Sequence, residues 1–514
     1  MKSGLACPQA STPISHTRAN AESLLMLRKI ASIGMVQSLG IVINVIRAKI
    51  FAVLLGPAGF GVVATIDQLV MSIVQISNLS LPFTALKFLS HSHSLGEAPF
   101  KRLFAAFFKA MLLLALFAMI VTLIAIPAGL DRFDTQLAAF REPVTIALLG
   151  IPATMMLMFL VNVLAARQAS VQSVLLTVVS GAVILVAGTV GCVLGGITGI
   201  YIATVLASTT LTLAVVIFFH SKFKLPIWAN TSGVWSELFS NSKIVGITIW
   251  IYFAVASAAI QLLLARYAAI THVGAEAAGM LQACLAVALS IGAILGPANS
   301  LYLTPYVNRN LPITEKIGAA DRFLPRLILL YCLGGLLVLL FPKLVLTLLF
   351  SEHFTPAAVI LPWFVAWQCL YQITNVYQQL LIGLDDAWGY ATVTAVGNLI
   401  AATLSLLLVE RYGLFGIAIG FFVGVLITAL LTAIRLRSRH KLSVPKSAIA
   451  LTAFSIVGFS VVVAIGQLTA EISFAGLVAR ILTASVFLVA LWLALPTPLR
   501  SEVRTGIMSK FHRR

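Results

Sequence analysis

Charge is scarce in this sequence, and negative charge the scarcer of the two signs. Only 10% of its 514 residues are charged, with 16 Asp and Glu against 34 Lys and Arg. Soluble domains carry about 25% charged residues, so an ordinary soluble protein is excluded. Cysteine is scarce too. Cys7, Cys192, Cys284, Cys332 and Cys369 are scattered, four of them in apolar stretches, without metal or disulfide spacing. Packing is the role that fits those four. Residues 1–28 are polar and lack the apolar core of a cleavable signal peptide, so the first span is expected to stay as an anchor.

What the chain has instead is apolar length. It is 60% hydrophobic, with a mean hydropathy of +1.04, and runs of roughly 20 apolar residues recur throughout. The pattern predicts an all-α polytopic membrane protein of about 14 spans. With the N-terminus in the cytoplasm, the cytoplasmic segments hold 25 of the 34 basic residues and the outer loops hold 4. That is a strong positive-inside bias, and it predicts cytoplasmic N- and C-termini. It also accounts for the net charge of +18 without calling on nucleic acid, which is not an expected partner.

The stretch Arg47 to Asn78 joins the first two spans through Gly56-Pro57-Ala58-Gly59-Phe60-Gly61. It carries Arg47, Lys49 and Asp67 at depths where lipid would surround them. Charges there are costly and face a partner or a wet cavity. Gln37, Gly40, Asn44 and Arg47 follow one another at helical spacing, as do Asp67, Met71, Gln75 and Asn78 on the return span. Two readings stay open: a structural Arg47–Asp67 ion pair, or charges left facing a cavity. Pro82 is expected to bend the second span near its cytoplasmic end. His91 and His93 read as a solvated basic loop, and Met155, Met156 and Met158 as gap fillers.

The pattern then recurs. An offset of 218 brings Gly56 onto Gly274 and Gly61 onto Gly279, with Arg47 within one position of Arg266; an offset of 217 brings Gly199 onto Gly416. These matches predict a parallel duplication, two pseudo-symmetric six-helix lobes about an axis along the membrane normal, with the site between them. The expected divisions are a cytoplasmic tail (1–29), an N-lobe (30–221), a cytoplasmic connector (222–243), a C-lobe (244–437), two further helices (438–496) and a basic cytoplasmic tail (497–514). In the tenth span, Trp367, Gln368, Tyr371, Gln372, Asn375, Gln378 and Gln379 crowd one side. Amides are costly in lipid, so this face points either into a polar helix seam or into a cavity suited to sugar. The twelfth span ends in RLRSRHK (435–441), a cluster suited to anionic lipid headgroups.

FAVLLGPAGFGVVATIDQL, the duplicated Gly-x4-Gly turn and the 6 + 6 + 2 helix arrangement resemble the multidrug/oligosaccharidyl-lipid/polysaccharide exporter superfamily. Within it the chain is most similar to Wzx-type polysaccharide flippases, including those for lipid III. The resemblance implies alternating-access transport of undecaprenyl-pyrophosphate-linked glycan across the bacterial inner membrane, for surface polysaccharide such as lipopolysaccharide O-antigen or exopolysaccharide. Arg47, Arg266 and, less directly, Lys49 would hold the pyrophosphate, Lys49 lying about 200° round the helix from Arg47. Trp367, Tyr371, Asn375 and Gln378 would meet sugar. Gln37, Asn44, Asp67, Gln75 and Asn78 would supply cavity polarity or coupling. No cofactor is expected, and coupling to an H+ or Na+ gradient stays open. Membrane lipids and the polysaccharide polymerase or chain-length machinery are the expected partners. Two rivals remain. A cation-coupled exporter calls for intramembrane carboxylates, of which Asp67 is the one well inside a span. A membrane glycosyltransferase or ligase needs a catalytic loop longer than the outer loop at about residues 128–143.

Overall fold

The computed structural model describes residues 16–133, 138–224, 242–298, 303–307, 312–468, 474–497 and 500–501. Cys7, the first 15 residues, most of the connector and the end of the basic tail lie outside them. All its long elements are helices: α1 (His16–Ser77), α2 (Leu81–Leu95), α3 (Glu97–Phe133), α4 (Arg141–Leu148), α5 (Ile151–Ala166), α6 (Ser170–Phe223), α7 (Ser242–His272), α8 (Ala275–Ala298), α9 (Ile313–Leu340), α10 (Pro342–Leu349), α11 (Leu361–Gly383), α12 (Ala387–Tyr412), α13 (Leu414–His440), α14 (Lys446–Leu468) and α15 (Phe474–Ala494). A 3-10 helix, Glu352–Val359, precedes α11 at an angle of 63°.

Among the described residues 11 helices are long and apolar enough to cross a membrane, or 12 counting that bent pair. Two of them are too long to be one passage. Val36–Ser77 has 42 residues and Ser170–Phe223 has 54, against the roughly 20 that span a bilayer. Each is broken by glycine: α1 at Gly56 (φ 64°, ψ −178°), α6 at Gly195 and Gly196. The 12 segments thereby resolve into fourteen passages. Large apolar side chains such as Leu113, Ile124, Leu194, Leu337 and Leu407 are exposed on the outside of the bundle, as lipid-facing residues should be. This is a multi-pass membrane protein.

Backbone conformation at the matching glycines agrees with the duplication. Gly196 (φ 59°, ψ −140°) and Gly413 (φ 56°, ψ −137°) stand 217 apart and adopt the same left-handed turn. Gly56 and Gly274, 218 apart, both have positive φ, which costs a residue with a Cβ far more. Helices α1, α2, α3, α5 and α6 pack together as one lobe; α7, α8, α9, α11, α12 and α13 as the other; α14 packs on α9 and α11, and α15 on α14. α1 joins the lobes, lying against α7 and α8. The second glycines of the two turns meet at that join. A Cβ on Gly61 would stand 2.1 Å from the Ala275 carbonyl oxygen, and one on Gly279 2.0 Å from that of Pro57. The repeat therefore contacts itself through its own matching residues, as a two-fold relation requires.

Pro82 does not bend a continuous span. The helix ends at Ser77 and restarts at Leu81, with Pro82 in the first turn of α2, where a missing N–H costs nothing. Leu79 and Ser80 take left-handed conformations between them. Asn78 belongs to this turn rather than to a cavity: it is buried, and its Oδ1 accepts from the Ser80 N–H at 2.9 Å.

Candidate functional site

Gly56 turns α1 back on itself and sets its two halves side by side, which brings Arg47 to Asp67. The pair is loose: Arg47 Nη2 lies 3.7 Å from Asp67 Oδ2, with the side chains 35% and 38% exposed. Tyr201 of α6 places its hydroxyl 3.1 Å from Asp67 Oδ1 and 3.0 Å from the Val63 carbonyl. Both sequence readings thus hold in part: the ion pair exists, and it faces open space.

That space is two cavities sharing a wall. One, about 260 Å³, lies between the lobes, lined by Asn44, Arg47, Ala64 and Asp67 on one side and Gln282, Ala286 and Ser290 of α8 on the other. The second, about 350 Å³, lies within the first lobe against Met71, Gly150, Thr154 and Tyr201. Arg47, Phe51 and Asp67 line both. The cavity between the lobes stops at Phe60 and Phe350, which with Phe354 form a buried aromatic cluster (centroids 5.4–5.8 Å apart) joining α1 to the far lobe.

Arg266 is 6% exposed and stands behind the second wall. Its Nη2 donates to Gln282 Oε1, while Nε and Nη1 are buried with no hydrogen-bond partner. Arg47 and Arg266 therefore flank one cavity, the first lining it and the second screened by Gln282. Lys49 is not with them. It is exposed on another face of α1, and its Nζ donates to the Leu348 carbonyl near the end of α10. Gln37 is half-buried with an unpartnered buried Oε1; Gln75 is half-buried and lines neither cavity.

The polar face of the tenth span, now α11, is divided. On one flank Gln378 is buried and donates to Thr394 Oγ1 at 2.9 Å, and Trp367 packs edge-on against Phe421 at 5.0 Å. On the other, the Gln368 and Gln372 amides crowd the space over Gly292, where a Cβ would stand 2.0 Å from Gln368 Nε2. Trp367 and Gln378 thus belong to helix seams, and the expectation that they meet sugar gives way to the packing alternative. Tyr371 (41% exposed) and Asn375 remain accessible between the flanks.

Sequence reasoning missed Tyr201 and Gln282. Gln282 had a signal, a lone amide inside the apolar run AGMLQACLAVAL. Part of the basic cluster is also reassigned. Arg435 and His440 turn inward onto Asp386 (2.8, 2.9 and 3.1 Å), which caps α12 through the Gly389 N–H, leaving Arg437, Arg439 and Lys441 exposed. Those contacts outweigh burial and hold the Asp386 carboxyl down to about 2.

No protein-family model matches the sequence, and no characterised protein matches it by sequence. Solved structures that it resembles include transporters. A multidrug resistance MATE family transporter of the MOP superfamily, in an inward-facing conformation, superimposes with TM-score 0.66 at 16% identity, covering 81% of this chain and 99% of that one. Lipid II flippase MurJ in an inward closed conformation gives 0.62 at 13% identity, covering 90% and 97%. The outward-facing MATE transporter gives 0.60 at 13%, covering 80% and 96%. The chain shares the fold of these solved structures.

Proposed function

We propose that the chain is a flippase for undecaprenyl-pyrophosphate-linked oligosaccharides in the bacterial inner membrane, working by alternating access in surface-polysaccharide synthesis. One observation carries this reading: the cavity between the lobes is flanked by two arginines against a single carboxylate, and one arginine has two unpartnered nitrogens. Buried donors without partners are costly, and a guanidinium matches paired phosphate oxygens. A diphosphate would satisfy Arg47 from one lobe and Arg266 from the other, while its prenyl chain stayed in lipid and Tyr371 and Asn375 met the glycan. The ends bearing Gly56 and Gly274 would be the outer face, sealed here by the Phe60–Phe350–Phe354 cluster, with both termini cytoplasmic. The neighbouring lipid II flippase supports a lipid-linked substrate, and a polymerase is the partner such a product would need.

A cation-coupled exporter is the second reading, favoured by Asp67 and Tyr201 in the first-lobe cavity. Excess positive charge argues against a cationic cargo, although Asp67 suits a coupling H+ or Na+ under either reading. Deleting the gene separates them. A flippase predicts a diphosphate-linked glycolipid accumulating in the cytoplasmic leaflet; heightened sensitivity to cationic drugs with no such lipid would favour the exporter.

A further inference from the structure

Arg266 is the least satisfied cation in the described core. A guanidinium carries five N–H donors in a planar fork, and here one nitrogen is paired while Nε and Nη1 are buried without partners. The partner it does have, Gln282, lines the cavity opposite Arg47 and Asn44. The carboxamide oxygen therefore occupies the place where an oxygen from the cavity would be accepted. Resting on the diphosphate reading above, we infer that Gln282 is a positioning residue: its Oε1 stands in for a phosphate oxygen, screens Arg266, and is displaced when a diphosphate arrives.

Chemistry favours the exchange. An amide oxygen is neutral, and phosphate oxygens form the stronger, charge-assisted hydrogen bonds with a guanidinium. Arg47 has a matching internal competitor in Asp67 at 3.7 Å. Each arginine thus already has an acceptor that an incoming anion must displace. Because entry must break an existing hydrogen bond, the arrangement selects for a dense anion that engages both arginines together. An orthophosphate, with fewer oxygens to share between the two guanidiniums, gains less. Gln282 thereby sets anion selectivity without forming a lasting contact with substrate.

The test is binding of inorganic pyrophosphate and of orthophosphate to the purified full chain, by calorimetry and by ligand-induced thermal shift. Gln282→Met keeps the length and removes the acceptor. It should bind pyrophosphate about tenfold more tightly, from loss of one competing hydrogen bond to a charged group, with a smaller preference over orthophosphate. Gln282→Glu pins Arg266 and repels the anion, so it should bind about tenfold or more weakly. The gain from Gln282→Met should vanish when combined with Arg266→Ala. Equal loss in both Gln282 variants, or no change in either, while Arg266→Ala still weakens binding, would overturn the positioning role and leave the diphosphate site standing. Failure of the wild type to bind, or binding unmoved by Arg47→Ala and Arg266→Ala, would remove the site itself.

Discussion

Arg47 and Arg266 occupy neighbouring places in one repeat, yet the first is 35% exposed beside Asp67 and the second 6% exposed behind Gln282. The difference follows from what surrounds them. At the places matching Asp67 and Tyr201 the second lobe has Leu285 and Ala418, both buried. The second lobe thus presents buried apolar side chains there, while the first lobe keeps a cavity of about 350 Å³ lined by Asp67 and Tyr201. A duplicated plan has kept its turns and diverged in its polar interior.

The ends nearest the termini diverge in the same way. Each lobe ties together the start of its third passage, the loop after its fourth and the end of its sixth. In the first lobe the centre is a cation: Arg167 meets Glu97 at 2.8 Å and lies over the Phe223 and Phe100 rings at 4.6 and 5.0 Å. In the second the centre is an anion, Asp386, held by Arg435 and His440, with Lys316 on the nearby Gly383 carbonyl at 2.8 Å. Glu97 is half exposed whereas the Asp386 side chain is buried, so equal geometry should not mean equal energy.

The largest effect should come from what the lobes share. Gly61→Val or Gly279→Val drives a side chain into the opposing backbone, and overpacking of that kind costs about 3 kcal/mol. Membrane abundance and thermal unfolding in detergent should both collapse; tolerance at both positions would break the claim that the repeat meets itself there. Next comes Arg435→Met, which leaves the buried Asp386 carboxylate with only His440 and the Gly389 N–H and should cost about 3 kcal/mol. Acid should erase part of the same interaction. With its folded value held at about 2, Asp386 contributes stability that is complete above about pH 4 and lost as pH falls towards 2, about 2 kcal/mol in all. Unfolding of wild type and Asp386→Asn followed across that window should converge at the acid end. Smallest are the exposed pairs. Glu97→Gln and Asp67→Asn should each lower stability by about 1 kcal/mol or less, so a transport defect in Asp67→Asn at normal abundance would mark that carboxylate as a coupling group.

The fold was readable because a bilayer leaves few choices: twenty apolar residues must be a helix, and glycines at a constant offset mark where helices turn. Depth and helical angle likewise brought Arg47 to Asp67 and set Lys49 apart. What spacing along one helix does not reveal is which neighbouring helix takes each side chain. The amides of α11 looked like one polar face, but Thr394, Phe421 and Gly292, from three other helices, divide it. Asn78 continued the polar line of the second passage and instead satisfies the break before α2. The role of Gln282 was hidden because its hydrogen-bond partner lies 16 residues away across a turn.

The central claim is that the arginines act as a pair across the cavity despite their different surroundings. Its most direct measurement is leaflet-to-leaflet movement of a fluorescent prenyl-diphosphate glycolipid in proteoliposomes, comparing wild type, Arg47→Ala, Arg266→Ala and the corresponding lysine variants. Each alanine variant should lose about tenfold or more at sub-saturating lipid. Each lysine variant should keep part of the rate, having the charge without the fork. Alanine variants of normal abundance that move the lipid at the wild-type rate would contradict the account.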